Sequence, residues 1–148
     1  MAKTAVEPMF VDANILVYSA VRAAPLNRST LRALHDLRAA GAELWVSRQV
    51  LREFLAALSR PQSFTGPVPI ADLEAAVAGF LIGFHIAEDG PLVTANLLAL
   101  LRSTPCGGKQ VHDANFVATM QAHGLRRLLT HNVGDFARFG GIVDVVPL

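Results

Sequence analysis

Cysteine is nearly absent: Cys106 is the only one in 148 residues, which excludes an internal disulfide framework and a cysteine-built zinc cluster and fits a reducing compartment. Long apolar runs are also missing. Although 52% of residues are hydrophobic, charge or glycine interrupts every stretch before the ~20 residues a membrane-spanning helix needs. Strong net charge is lacking as well, since thirteen Lys and Arg against twelve Asp and Glu give +1, so any nucleic-acid surface has to be local rather than chain-wide. The first eight residues, Met1 to Pro8, hold no apolar core of signal-peptide type. The expectation is a cytoplasmic protein with no membrane association.

The chain has the length of one domain with its own core, and the charge is uneven along it. Residues 1 to 60 carry eight Lys/Arg and five Asp/Glu, and residues 61 to 148 carry five and seven. Arg22, Arg28, Arg32, Arg48, Arg52 and Arg60 therefore offer either a phosphate-facing surface or ordinary solvated helix faces.

Short β-rich apolar runs alternate with longer amphipathic stretches, which predicts an α/β fold with a parallel sheet covered by helices. The expected strands are Met9 to Val11, Glu43 to Val46, Phe84 to Ala87, Leu128 to Thr130 and Val143 to Val146. Ser47 is placed to cap a helix carrying Val50, Leu51, Phe54, Leu55 and Leu58, which Pro61 ends. Further helices are expected over about 70–81, 91–102 and from Val111 to Gly124, with loop chemistry over 61–69 and a hinge at Gly107-Gly108-Lys109.

In a doubly wound sheet, ligands bind beyond the carboxyl ends of the strands. Asp12 follows the first strand directly, and Asn132 and Asp135 follow the fourth. Asp12 is also a favourable helix N-cap. Asp113 has two readings: it lies at 0° on a face defined by Phe116, Val117 and Met120 and so points inward, or it caps a helix that begins at Ala114. Glu53 lies about 130° from the centre of its helix's apolar face, and Asp135 has the look of a turn residue.

Several carboxylates on one rim repel by about 3 kcal/mol per pair at ~5 Å and an effective dielectric of 20. A divalent cation removes that penalty, and an all-oxygen donor set suits Mg²⁺ or Mn²⁺. The five histidines include no pair at zinc-ligand spacing on one helix face; His112 and His131 are rim candidates and the rest structural. Trp45, inside the second strand, is expected to pack in the interior.

Four segments resemble, in order, the motifs of the PIN-domain ribonucleases, most closely the VapC-type toxins of toxin–antitoxin pairs. They are Phe10-Val-Asp-Ala-Asn-Ile-Leu-Val-Tyr, Ser47-Arg-Gln-Val-Leu-Arg-Glu-Phe, Val111-His-Asp-Ala-Asn-Phe-Val-Ala and Leu129-Thr-His-Asn-Val-Gly-Asp-Phe. The resemblance extends over nearly the whole chain and implies a single PIN domain, a three-layer α/β/α fold with a four- to five-stranded parallel sheet. It implies a Mg²⁺- or Mn²⁺-dependent endoribonuclease acting on tRNA, rRNA or mRNA. Asp12 and Asp113 would hold the ion most directly, Glu53 and Asp135 would complete the acidic pocket, and Asn14, Thr130 and Asn132 would be its polar neighbours. Relatives place the fourth acid where either Asn132 or Asp135 stands, and Asp135 is assigned. A homodimer neutralised by a cognate antitoxin is the implied assembly.

Three other readings exist. A PIN-like module that binds RNA or protein without cleaving is the alternative. An aspartyl-phosphate phosphatase needs a second Asp two residues after Asp12, where Asn14 stands, and a dinucleotide-binding domain needs a Gly-rich turn that the first strand lacks.

Overall fold

The computed structural model describes residues 5–148. The N-terminal reading of the sequence falls partly on residues 1–4, outside the described residues. Five short strands form one parallel sheet in the order β3-β2-β1-β4-β5: β1 Met9–Val11, β2 Leu44–Ser47, β3 His85–Ala87, β4 Arg127–Thr130 and β5 Asp144–Pro147. Six α-helices flank them: α1 Ala13–Ala20, α2 Asn27–Ala39, α3 Arg48–Leu58, α4 Ile70–Gly83, α5 Pro91–Ser103 and α6 Gln110–Ala122. A 3₁₀ helix, Val133–Phe139, joins β4 to β5.

The expected strands are all present, each within one residue at either end. Their uninterrupted apolar character at the centre follows from burial on both faces: Met9, Phe10, Val11, Val46, Ala87 and Leu128 are fully enclosed, as a parallel sheet covered on both faces requires. The sheet grows outward from β1 through β2 to β3, then the α5–α6 connection crosses back and β4 pairs on the other side of β1. Strand order therefore reverses between β1 and β4. The crevice beyond their carboxyl ends is the topological switch point.

Local chemistry explains the helix boundaries. The Ser47 hydroxyl accepts from Val50 N at 3.2 Å, the expected cap. Gly108 (φ +59°) turns the chain into α6 and Gly124 (φ +67°) lets it leave for β4, conformations that a Cβ disfavours. Because α6 begins at Gln110, Asp113 lies in its first turn and does not cap it. The N-cap reading of Asp113 is thus corrected, the extra turn coming from the Gly107-Gly108 bend upstream. Among the described residues no helix is long and apolar enough to cross a membrane.

Candidate active site at the switch point

Asp12 leaves β1 and immediately caps α1, so its capping role and its place at the crevice coincide. Only 7% exposed, its carboxylate accepts from Ala13 N at 2.6 Å through Oδ1 and from Thr130 Oγ1 at 2.7 Å through Oδ2. Asn14 Nδ2 reaches the same Oδ2 at 3.3 Å. Thr130, the last residue of β4, accepts in turn from Asn132 N at 3.0 Å, and His131 N donates to Asn14 Oδ1 at 3.2 Å. Asp12, Asn14, Thr130 and the backbone of Asn132 thus form one network across the two strand ends. Burial pushes the Asp12 carboxyl above its ordinary value, the hydrogen bonds from Thr130 and Ala13 oppose this, and Asp135 adds repulsion.

Glu53 stands half-buried on α3, beside the face that sinks Val50, Leu51, Phe54 and Leu58 into the core. Gln49, one turn earlier, donates to Glu53 Oε1 at 3.2 Å and to the His112 carbonyl at 3.0 Å, and accepts from Asn115 Nδ2 at 2.8 Å. This amide clasp ties α3 to α6. Glu53 is raised mainly by burial, with further repulsion from Asp12 and Asp113 set against the Gln49 hydrogen bond and the nearby His112.

Asp113 is half-buried on α6 and also raised, first by burial and then by Asp135 and Asp12, with Arg138 and His112 opposing. Asp135 is exposed on the first turn of the 3₁₀ helix, which buried Phe136 and Phe139 anchor to the core. Its backbone N donates to Asn132 O at 3.1 Å. The charge of Asp135 acts on Asp12 and Asp113, while Asn132 lines the cavity beside Asp12. One cavity of about 280 Å³ contains Asp12, Asn14 and Glu53, and another of about 600 Å³ contains Glu53, Asp113 and Asp135.

The family model of the PIN domain matches residues 9–142. The chain belongs to the PIN-domain family.

Solved structures carry the same PIN fold. The VapBC2 complex of Rickettsia felis, bound to a promoter DNA fragment, superimposes with a TM-score of 0.64 at 18% identity over 95% of this chain and 98% of the other. VapC20 of Mycobacterium tuberculosis, a sarcin–ricin-loop-cleaving toxin, gives 0.64 at 16% identity over 92% and 96%. A toxin–antitoxin complex from Klebsiella pneumoniae gives 0.63 at 25% identity over 95% and 96%. Among curated proteins there is no match.

Around the PIN crevice, the basic residues divide. Arg52 lines a cavity with Glu53 and His112, and Lys109 lines the one with Asp113 and Asp135. Arg48 is committed to Glu88 at 2.6 Å, and Arg22 and Arg28 line a separate depression at the α1–α2 connection. His131 stands on the rim, 5.6 Å from the Tyr18 ring. Trp45 is half-buried, stacked on His85 at 5.0 Å with its indole N–H unpartnered.

The donor chemistry fits a hard cation. Among the described residues no three His, Cys, Asp or Glu side chains are gathered tightly enough to form a closed metal cage. Mg²⁺ does not need one, because it keeps several waters and takes one or two carboxylates together with substrate phosphate oxygens. Asp12, Glu53 and Asp113 are raised first by burial, and repulsion adds to it: from Asp135 on Asp12 and Asp113, from Asp12 on Asp113, and from Asp12 and Asp113 on Glu53.

Proposed function

We propose that this PIN domain is a Mg²⁺- or Mn²⁺-dependent endoribonuclease, the toxin of a type II toxin–antitoxin pair, with the whole chain as one domain. The observation that carries the reading is the convergence of Asp12, Glu53, Asp113 and Asp135, from four separate elements, on the switch-point crevice. Asp12 and Asp113 would hold the ion, and Glu53 and Asp135 would complete the acidic pocket. When bound, the ion would orient and acidify water and stabilise the leaving oxygen of a phosphodiester.

The chain's own groups supply the rest. Thr130 and the Ala13 amide hold the Asp12 carboxylate in one orientation, and Asn14 and Asn132 frame it. Gln49 holds Glu53 through its Oε1, which limits the orientations of this acid at the crevice. Arg52 and Lys109 offer cations to the neighbouring phosphates of the strand, positioning it without reading sequence. Attack by water in place of the RNA 2′-hydroxyl leaves a 5′-phosphate and a 3′-hydroxyl.

The assembly is part of the same proposal. Exposed Ile70, Leu81 and Ile82 on α4 and Leu92 and Leu98 on α5 supply apolar surface for a cognate antitoxin and a second copy of the chain, and the reducing cytoplasm is its expected setting. The test is incubation of purified protein with total cellular RNA in Mg²⁺, Mn²⁺ or EDTA, followed by end mapping. Discrete metal-dependent fragments with 5′-phosphates are expected. RNA binding without cleavage in any metal would replace this reading with a non-catalytic module.

A further inference from the structure

The cavity that contains Asp12 and Glu53 has a second end with different chemistry: Tyr18, Phe64 and Gln62 line it. Tyr18 and Phe64 are both half-buried, their ring centroids 6.4 Å apart and edge-to-face. Tyr18 also meets His131 at 5.6 Å, so three rings run along the rim beside the acids. Binding a cation and a phosphate gives no reason for aromatic surface at that place.

The loop that brings Phe64 there is rigidly built. Gln62 and Thr65 exchange backbone hydrogen bonds of 2.8 and 3.4 Å, Val68 N donates to Leu58 O at 2.8 Å, and Pro61, Pro67 and Pro69 restrict the rest. Gln62 Nε2 is spent on the Ala57 carbonyl at 2.6 Å. Its amide oxygen is left as the acceptor it can offer.

Resting on the nuclease reading above, we infer that this end of the cavity is a nucleobase subsite. The base adjacent to the scissile phosphate lies against Phe64 and Tyr18, while the Gln62 carbonyl and the Asn132 amide face its hydrogen-bonding edge. The cavity of about 280 Å³ has room for one base, and a base laid against these rings has to leave its own stack, so the site takes an unpaired nucleotide from a loop or bulge. Aromatic stacking tolerates every base, and amide groups at the edge are what add preference.

The test uses single-stranded RNA oligonucleotides carrying 2-aminopurine at successive positions, bound to full-length Asp113→Asn protein so that no cleavage intervenes. Fluorescence quenching at one position is expected. Adding Phe64→Leu, which keeps apolar volume but removes the ring, should abolish the quench and weaken binding about tenfold, the scale of one base–aromatic stack. Phe64→Trp should restore both, and melting curves confirm that each variant is folded. Absence of quenching at every position, or a quench unchanged by Phe64→Leu, overturns the subsite. A parallel digest with unmodified protein and Mg²⁺ separates the two proposals: cleavage without quenching rejects the subsite alone, and quenching without cleavage rejects the nuclease and retains the subsite.

Discussion

The Thr130 hydroxyl lies 2.7 Å from Asp12 Oδ2 across 118 residues of sequence. It is a direct bond between the ends of the two strands where the sheet reverses. Because the same hydroxyl accepts from Asn132 N, one side chain sets both the orientation of the buried acid and the start of the loop carrying Asp135.

Replacing Thr130 by Val keeps the shape and removes both interactions. Asp12 then loses its shortest side-chain donor in a buried setting, a cost of about 1–3 kcal/mol. Urea denaturation should show that loss, and the RNA cleavage rate should fall with it. Thr130→Ser should recover most of both.

The raised proton affinities of Asp12, Glu53 and Asp113 predict an unusual pH dependence for metal-free protein. A group raised by folding binds its proton more tightly in the native state, so its contribution is fully present below the unfolded value and is lost as pH rises through the folded one. Unfolded values are near 3.8 for Asp and 4.5 for Glu. Asp113→Asn should therefore raise the metal-free melting temperature at pH 7.5 and lose that advantage near pH 4. Mg²⁺ at pH 7.5 should raise the unmodified protein's melting temperature more than the variant's.

Gln49→Ala dismantles the clasp that holds Glu53, the His112 carbonyl and Asn115. Each net hydrogen bond is worth about 0.5–1.5 kcal/mol, so a combined loss of about 1.5–4.5 kcal/mol is expected for the three. If Gln49 positions Glu53, kcat should drop more than KM rises. Equal stability loss with unchanged kcat would make it a purely structural tie.

Leu26 adopts φ 63° just ahead of α2, is 40% exposed and gives no side-chain cap. Asn tolerates that backbone region far better than Leu. Leu26→Asn should stabilise the fold by about 0.5–1 kcal/mol in urea titration, with no change in cleavage.

The strands, the class and the position of Asp12 were readable from local pattern, because burial on both faces leaves short continuous apolar runs and an acid at a strand end has few places to go. The structure brings all four sequence-identified acids to the crevice region, with Asp135 the most exposed. The Gln49 clasp was not readable. Gln49 lies on the side of α3 opposite Val50, Leu51, Phe54 and Leu58, and its burial comes from α6, some sixty residues later, which helical periodicity within α3 does not register. Arg48 shows the same limit in reverse: it reads as a surface cation, and its commitment to Glu88 depends on the β2–β3 pairing. The aromatic corner was hidden because Phe64 sits in a loop whose proline content signals a turn and says nothing of where its tip lands.

The most direct test of the central claim is the initial cleavage rate of one end-mapped RNA oligonucleotide in Mg²⁺, measured for Asp12→Asn, Glu53→Gln, Asp113→Asn and Asp135→Asn proteins whose melting curves show a folded state. The account predicts near-complete loss for Asp12→Asn and Asp113→Asn, and substantial loss for Glu53→Gln and Asp135→Asn. Folded Asp12→Asn and Asp113→Asn proteins that cleave at the unmodified rate would contradict it.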